Sequence, residues 1–476
     1  MEKSLIKNYI YSNVLLIFNL AYPLITTIYI NRIFSVEMIG EVSFALSIVT
    51  VFISLSSLGI MSYGAREIAI NKNNRIKLNE IFSELLILNI ISVIFFLVIY
   101  FFIIIFFFNF YKYFKIFIIL SLNILMSAFT LEWFYIGLEE YEYIAKRSII
   151  TKIISLIFMI VFIKTKEDFY LYIIFLVLGI SLNALFNIFN TKKYVSLSLK
   201  NLELKKYFKE LKYFYFQVIM GCLYNGTDQI ILGINSTKDQ VAYYSKSRQL
   251  ISIIGAITVS FTKTITPRIN NNIFDKVTYR KLVNLSFNFL CLLTIPSFVG
   301  TFFLTKNILY IIGGEKFIPA TNILRILTFL LIFSSFAVFL DNSISIPNNK
   351  EKNTFYGNCG VMIISVVLAL ILTNKYGGEA SAFSIVIGEF IGIIIQIFSI
   401  KRQNLYLGFI SRNIVKYIYS SFFMGIIIFF VKKLAFGYIE EFFISFIAGG
   451  ISYLAFLYFF KEKLITSFIL NLLNKK

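Results

Sequence analysis

Long runs of apolar residues, separated by short polar loops, follow one another along the whole chain. A helix needs about 20 mostly apolar residues to cross the hydrocarbon core of a bilayer. Runs of suitable length predict about fourteen transmembrane helices, so the chain is predicted to be an all-α polytopic membrane protein. The predicted spans are 9–31, 40–63, 81–108, 115–137, 148–163, 170–190, 211–234, 242–265, 282–305, 319–340, 354–374, 379–400, 413–431 and 439–460.

The basic residues of the loops predict how these spans are oriented. If the N-terminus is cytoplasmic, most Lys and Arg residues fall in cytoplasmic loops such as 65–77, 192–212 and 401–416. Because short basic loops stay on the cytoplasmic side, we expect both termini to be cytoplasmic. The first apolar run continues to about Asn31 without a small-residue cleavage signal, so we expect it to be a retained span.

A shift of 202 residues aligns the two halves of the chain. It places Tyr22 on Tyr224 and Asn187 on Glu389, and pairs spans 1, 2 and 6 with spans 7, 8 and 12. Since six spans separate the paired elements, the two copies have the same orientation, as in transporters built from parallel repeats. We therefore expect an N-terminal six-helix lobe (1–208), a C-terminal six-helix lobe (209–402), and two additional transmembrane helices with a cytoplasmic tail (403–476).

Composition narrows the functional classes. The chain has 45 Lys and Arg against 25 Asp and Glu, an excess that would suggest nucleic acid in a soluble protein. Here the excess lies in short loops, so membrane lipids are the expected partners and nucleic acid is not. There is no histidine, the three cysteines are scattered through apolar segments, and the phosphate-binding pattern GxxxxGK[ST] is absent. We therefore expect no metal site, no catalytic residues and no ATP hydrolysis.

Polar side chains follow one face of the seventh span. Gln217, Tyr224 and Asp228 lie at i, i+7 and i+11, which is a single stripe on a helix. A carboxylate at bilayer depth costs roughly 2.5–3.5 kcal/mol and indicates a functional site. Asp228 is either a protonatable coupling group or a fixed counter-charge, and Lys246 and Arg248 of the next span are its candidate partners.

Cations and hydrogen-bonding groups recur in other spans. Lys246, Arg248 and Arg325 are candidate cavity cations, although each can also extend to the membrane interface. A similar polar stripe in the first span consists of Asn19, Tyr22, Thr26 and Tyr29. Because Arg and Lys pair well with phosphate, inward-facing cations suit an anionic substrate.

Glu389 lies near the middle of the twelfth span and is the second candidate coupling or counter-charge group. It is flanked by Gly388 and Gly392, whose GxxxG spacing favours close helix packing.

Several segments resemble oligosaccharide flippases of the polysaccharide transport family. They are 8–69, which contains YGAR at 63–66, then 224–244 (YNGTDQIILGINSTKDQVAYY), TPR at 266–268, and 376–389 (YGGEASAFSIVIGE). The family belongs with the multidrug/oligosaccharidyl-lipid/polysaccharide exporters, which share a fold of six plus six helices. The resemblance implies translocation of undecaprenyl-diphosphate-linked repeat units, for O-antigen or capsule assembly, across the bacterial cytoplasmic (inner) membrane.

The resemblance also implies how such a protein works. Family members are thought to hold the diphosphate with inward-facing cations and often to use an ion gradient, so H⁺ and Na⁺ are the candidate coupling ions and no cofactor is expected. Candidate protein partners are a polysaccharide polymerase and a chain-length regulator. In this chain the candidate cations lie mainly in the predicted C-terminal lobe, with few in the N-terminal one.

Two other classes of protein fit the sequence less well than a flippase. A drug/cation antiporter of the same superfamily would favour a cavity dominated by carboxylates, whereas here cations outnumber them. A membrane enzyme, such as a polysaccharide polymerase or ligase, needs acid–base or nucleophilic groups at an outer loop. The short outer loops and the lack of histidine argue against an enzyme.

Overall fold

A computed structural model describes residues 5–106, 113–198, 202–409, 413–462 and 464–466. Every regular element in these ranges is a helix. The α-helices are α1 (Leu5–Ile33), α2 (Val36–Ser56), α3 (Ile60–Asn71), α4 (Arg75–Phe106), α5 (Phe114–Ser127), α6 (Glu132–Gly137), α7 (Tyr141–Phe162), α8 (Phe169–Thr191), α9 (Lys205–Asn235), α10 (Lys238–Asn271), α11 (Lys276–Phe303), α12 (Thr305–Gly313), α13 (Thr321–Leu327), α14 (Phe329–Leu340), α15 (Lys352–Arg402), α16 (Asn413–Lys432) and α17 (Tyr438–Phe459). Short 3₁₀ turns occupy Lys166–Asp168 and Glu315–Ala320, and a π-helix occupies Asp341–Ser345.

Eleven helical segments in the described part are long and apolar enough to cross a membrane. The chain is therefore a multi-pass membrane protein. Helices α7 and α9 are not among the eleven, although they span about 33 Å and 46 Å at 1.5 Å per residue. Helix α15 is one of the eleven segments, yet Gly377 interrupts it with a positive φ of 54°.

Three predicted spans are broken where hydropathy is continuous. The predicted span 40–63 ends at Ser56 and resumes as α3, and the predicted span 115–137 is interrupted between α5 and α6. The predicted span 319–340 contains the end of a 3₁₀ turn followed by α13 and α14. Hydropathy reports apolar composition and not the continuity of backbone hydrogen bonds, so the sequence pattern could not reveal these breaks.

Gly59 makes the first of these breaks possible. Its φ of 74° is left-handed, and a Cβ atom there would lie 2.7 Å from the backbone carbonyl carbon of Phe214 on α9. Only glycine combines that backbone conformation with so close a contact. The turn between α2 and α3 therefore packs directly against the backbone of α9.

The chain divides into two compact units, Met1–Ile230 (unit 1) and Ile231–Lys476 (unit 2). The division falls within α9, whereas the predicted lobes meet at residues 208 and 209. The predicted lobe boundaries stay a prediction, because the two divisions rest on different criteria.

The segment between α8 and α9 is bound to the start of α4 in unit 1. Glu84 of α4 accepts hydrogen bonds from the Tyr207 hydroxyl at 2.6 Å and from the Glu203 amide at 2.8 Å. Its carboxylate also lies 2.8 Å from the Lys206 ammonium, and Asn79 exchanges two hydrogen bonds with Ser196. These contacts fix the first turns of α9 to unit 1.

An aromatic core joins α3, α4 and α6 in unit 1. Phe82 packs against Trp133 and Phe134 with ring centroids 5.8 Å and 4.8 Å apart, and Tyr63 packs against Tyr207 at 5.8 Å. All five rings are buried. This cluster lies at the ends of the helices that the sequence predicts to be cytoplasmic.

In unit 2, α16 and α17 share the main core and are not peripheral to it. Tyr417, Met424 and Tyr453 belong to one cluster of buried residues together with residues of α10, α11 and α14. The Tyr453 hydroxyl donates to the Leu292 carbonyl of α11 at 2.8 Å. The last two helices are thus integral to the packing of unit 2.

Candidate substrate-binding residues

The polar stripe of α1 faces α7 within unit 1. The hydroxyls of Tyr22 and Ser155 are hydrogen bonded at 3.1 Å, and the Tyr29 hydroxyl donates to the Ile163 carbonyl at 2.6 Å. One turn from Tyr22, Asn19 accepts a hydrogen bond from the Lys152 ammonium. Tyr22 thus has a structural partner, and Lys152 is brought beside it.

The stripe of α9 passes from exposed to buried along the helix. Gln217 is exposed, Tyr224 is partly exposed, and Asp228 is 5% exposed. The Asp228 carboxylate accepts the Gln229 amide at 2.7 Å, and the Gln229 side chain donates to the Ser43 carbonyl of α2 at 2.7 Å. Asp228 belongs to unit 1, whereas Lys246 and Arg248 belong to unit 2, so the suggested pairing stays a prediction.

Lys246 and Arg248 lie near the start of α10, and both are partly exposed. Arg248 donates to the buried Tyr244 hydroxyl at 2.8 Å. Over the described ranges, no hydrogen bond or ion pair is formed by the Lys246 ammonium. A partly exposed ammonium group without an ion-pair partner is able to bind an anion.

Arg325, on α13, contacts α11. Its guanidinium lies 5.8 Å from the centroid of the Phe302 ring on α11, and its Nε atom is buried without a hydrogen-bond partner in the described part of the chain. The grouping of Arg325 with Lys246 and Arg248 in one cavity stays a prediction.

Glu389 is buried between α14 and α15, where it accepts a hydrogen bond from the Ser334 hydroxyl at 2.9 Å. The neighbouring glycines have the packing role that their spacing predicts. A Cβ atom on Gly388 would lie 2.8 Å from the Val361 carbonyl oxygen, and one on Gly392 equally close to the Gly357 oxygen. The packing prediction for this GxxxG segment is confirmed.

Sequence reasoning underestimated the cations of the N-terminal half. Arg147 of α7 has only 2% of its side chain exposed, lies 2.9 Å from the Glu132 carboxylate, and also donates to Asn187 on α8. Lys152 lies one and a half turns further along α7. The sequence did contain a signal for both cations. Lys152 is a charged residue inside the predicted span 148–163, and the predicted span is short because charged residues, among them Arg147, precede it.

A half-buried carboxylate in unit 2 was also missed. Asp341 begins the π-helix and accepts hydrogen bonds from Thr354 and from Gln396, both at 2.5 Å. π-Helical turns are often found at functional sites. Its sequence signal was weak, since Asp341 directly follows a predicted span and reads as a loop residue.

Comparison with known proteins identifies the family. Residues 5–273 match the family described as polysaccharide biosynthesis protein. A putative O-antigen transporter of Shigella dysenteriae is 21% identical over 82% of this chain and 99% of its own length. The capsular polysaccharide biosynthesis protein CapF of Staphylococcus aureus is 23% identical over 84% of this chain and 100% of its own. A putative O-antigen transporter of Shigella flexneri is 27% identical over a shorter segment, which is 33% of this chain and 38% of that relative's length.

Two solved structures have a similar fold. The lipid II flippase MurJ, in an inward closed conformation, aligns with a TM-score of 0.77 over 96% of this chain and 100% of its own, at 17% identity. An inward-facing multidrug resistance MATE transporter of the MOP superfamily aligns with a TM-score of 0.61 over 80% of this chain and 94% of its own, at 13% identity. At these identities the likeness concerns the fold alone. The family match covers more than half of the chain, and the chain belongs to the polysaccharide biosynthesis protein family.

Proposed function

We propose that this protein is a flippase that moves undecaprenyl-diphosphate-linked oligosaccharide repeat units across the bacterial cytoplasmic membrane, for O-antigen or capsular polysaccharide. The main support is the match to O-antigen and capsule proteins over nearly their whole length. A relative and two structural neighbours are named as an O-antigen transporter, a flippase and a multidrug transporter, which supports a non-catalytic role. Translocation would proceed by alternating access, in which two lobes rock around a central site.

The proposed architecture has fourteen spans, arranged as two parallel six-helix lobes followed by α16 and α17. Helices α7 and α9 are long enough to span, and Gly377 divides α15 into two halves, which adds three spans to the eleven. Contacts within the units support the repeat. Glu132 and Asn187 both bind Arg147 in unit 1, and the residues 202 positions later, Ser334 and Glu389, bind each other in unit 2.

Reporter fusions test this topology. Fusions after Lys205 and Lys401 should report the cytoplasm, and fusions after Lys238 and Lys375 should report the outside, because basic loops remain cytoplasmic. Alkaline phosphatase and green fluorescent protein fusions would provide the two opposite signals. The reversed pattern at either pair of sites would refute the fourteen-span arrangement with cytoplasmic termini.

We place the substrate diphosphate among inward-facing cations, with Lys246, Arg248 and Arg325 as candidates and with Gln217, Tyr224 and Tyr22 as hydrogen-bonding candidates. Lys246 and Arg248 support this role through their partial exposure near the start of a membrane-spanning helix. Each good charge-assisted hydrogen bond to phosphate contributes about 1.5–3 kcal/mol.

Replacing Lys246 and Arg248 by Ala, singly and together, should reduce surface polysaccharide while the protein remains at its normal level in the membrane. The double variant should show the larger loss, because two contacts to the phosphates disappear. Quantitative immunoblots of polymer and of protein measure both effects. Lys276→Ala, which removes an exposed lysine at the start of α11, is the matched control. Normal export by the double variant would refute this role for the two cations.

Asp228 and Glu389 are the proposed coupling or counter-charge groups, with H⁺ or Na⁺ as the coupling ion. Their burial supports the proposal, since a buried carboxylate needs a bound cation, a proton or a charged partner to offset the cost of desolvation. A polysaccharide polymerase and a chain-length regulator are the proposed protein partners. Their copurification with the tagged flippase would test that association.

A drug/cation antiporter is the second candidate function. The buried carboxylate of Glu389, the half-buried carboxylate of Asp341 and the fold shared with a MATE transporter favour it. Deletion of the gene separates the two functions. If the protein is a flippase, its deletion lowers surface polymer and leaves drug sensitivity unchanged. If it is an antiporter, its deletion changes drug sensitivity and leaves surface polymer unchanged.

A further inference from the structure

A row of polar side chains, the polar row, follows the packing surface between α14 and α15 in unit 2. Along the second half of α15 and just after it, Glu389, Gln396 and Gln403 recur every seven residues, which places them on one face of the helix. Each of these side chains is hydrogen bonded to a side chain of another segment. The three partners, in the same order, are Ser334 of α14, Asp341 of the π-helix and Asn353 at the start of α15.

The polar row leads from the middle of the second half of α15 to its end. Glu389 lies eleven positions after Gly378 and thirteen before Arg402. Gln403 follows the last residue of α15 and is hydrogen bonded at 2.9 Å to Asn353, the second residue of α15. The polar row therefore ends where α15 both begins and ends, about 21 Å along the helix from Glu389.

Asp341 is the carboxylate in the middle of the polar row. It is half-buried, and its Oδ1 atom accepts hydrogen bonds from the Thr354 hydroxyl and the Gln396 amide, both at 2.5 Å. Over the described ranges its carboxylate forms no other hydrogen bond and no ion pair. Because both donors are neutral and both use one oxygen atom, Oδ2 is able to gain and lose a proton without disturbing either contact.

The two carboxylates of the polar row influence each other. The charge of Glu389 acts on Asp341. Asp341 binds Gln396, which is seven positions from Glu389, so the two carboxylates are about 10.5 Å apart along the row. Since like charges repel, the loss of a proton from one carboxylate favours its uptake by the other. The distance exceeds the reach of a direct hydrogen bond, so about three water molecules would complete the path.

We propose that Asp341 transfers protons between Glu389 and the water at the end of the polar row. The inference rests on the proposed function, in which Glu389 is a candidate coupling group, and it names H⁺ as the ion coupled at this carboxylate. The contacts of Asp341 favour a proton over Na⁺. A hydroxyl and an amide N–H direct hydrogen atoms at the carboxylate, whereas a hard metal cation needs oxygen ligands there. Chains of acidic groups serve as proton relays inside other membrane proteins.

Asp341→Asn separates proton transfer from a structural role. Asn keeps an oxygen atom that can accept both hydrogen bonds, but it cannot carry a proton. If Asp341 only joins α15 to the π-helix, this variant should behave as the wild type. If Asp341 transfers protons, the amount of proton uptake should stay near that of the wild type while its rate falls by about 100-fold, because a positioned acid–base group contributes about 10²–10⁴-fold. Asp341→Glu retains a carboxylate and should keep rapid uptake.

Proton uptake is measured by stopped flow on the purified full-length protein in detergent, in weakly buffered solution with a pH-indicator dye. Undecaprenyl diphosphate is the probe and undecaprenol is the neutral lipid. Because an anionic ligand favours the protonation of carboxylates within range of its charge, the wild type should take up protons with the diphosphate only. Glu389→Gln should remove this uptake. Tyr279→Phe is the matched control, since the Tyr279 hydroxyl donates to the Ser343 carbonyl of the same π-helix at 3.5 Å but lies outside the polar row.

The outcomes separate this inference from the proposed function. If the wild type binds undecaprenol as well as undecaprenyl diphosphate, the proposed function fails and this inference fails with it. If the wild type prefers the diphosphate but takes up no proton, only the inference is refuted. Uptake by Asp341→Asn at the wild-type rate, or undiminished uptake by Glu389→Gln, would also refute it. Thr354→Val removes one hydrogen bond but not the carboxylate, so equal slowing in Thr354→Val and Asp341→Asn would indicate a structural effect and overturn the proposal.

Discussion

Glu132→Gln is expected to destabilise unit 1 by about 3 kcal/mol. The Arg147 side chain is 2% exposed, and the carboxylate of Glu132, at 2.9 Å, is its only ion-pair partner in the described part of the chain. Removing one partner of a buried pair costs about 3–5 kcal/mol, because the remaining charge is left uncompensated. We expect the lower end of this range, since Glu132 is 42% exposed and Asn187 and the Tyr143 ring remain beside Arg147.

The thermal unfolding temperature of the purified protein in detergent measures this effect. Glu142→Gln is the matched control, because its ion pair with Lys146 is exposed and is expected to contribute at most about 1 kcal/mol. The double variant Glu132→Gln/Arg147→Met should be more stable than Glu132→Gln alone, since it leaves no buried charge without a partner. Equal unfolding temperatures for Glu132→Gln and Glu142→Gln would contradict the structural role of this pair.

Asp228→Asn is expected to remove the dependence of transport on an ion gradient while protein abundance stays near normal. The side chain is 5% exposed, and Asn has the same shape and keeps an oxygen that can accept the Gln229 amide at 2.7 Å. The substitution thus removes the charge and keeps this hydrogen bond. A coupling carboxylate must change its charge state or its partner during transport, and an amide cannot do so.

Transport of a fluorescent lipid-linked oligosaccharide in proteoliposomes, with and without an imposed gradient, measures this dependence. Asp239→Asn removes the same charge from an exposed position at the start of α10 and should behave as the wild type. A large fall in abundance would instead assign Asp228 to the counter-charge role, because a buried cation would lose its partner. An abundant variant that is still fully gradient-driven excludes both roles.

The sequence alone determined the class of protein and the position of most helices. Apolar runs of spanning length are decisive because the bilayer interior satisfies no backbone hydrogen bonds, so a spanning segment forms a helix almost regardless of its side chains. Short motifs such as YGAR at 63–66 were enough to suggest the family, which the match over residues 5–273 confirms. The GxxxG spacing around Gly388 and Gly392 likewise predicted close packing correctly.

Only the tertiary structure decided where the helices break and which polar groups meet. The turn at Gly59 depends on the backbone of Phe214, more than 150 positions away, and no local pattern records that contact. In the same way, the sequence did not show that the Tyr22 hydroxyl is hydrogen bonded to Ser155 of α7. Periodicity gives the face of a helix on which a side chain lies, but not the neighbour that this face meets.

The cations show this difference most clearly. Arg147 and Lys152 are five positions apart on one helix, and in the sequence both are charges at the start of an apolar run. In the structure Arg147 forms an ion pair with Glu132, whereas Lys152 contacts the neutral side chains of Asn19 and Tyr22 and forms no ion pair within the described ranges. Composition fixes how many charges a membrane protein contains. The packing of α1, α6 and α8 around α7 decides which of them remain available, because neutralisation requires an opposite charge within a few ångströms.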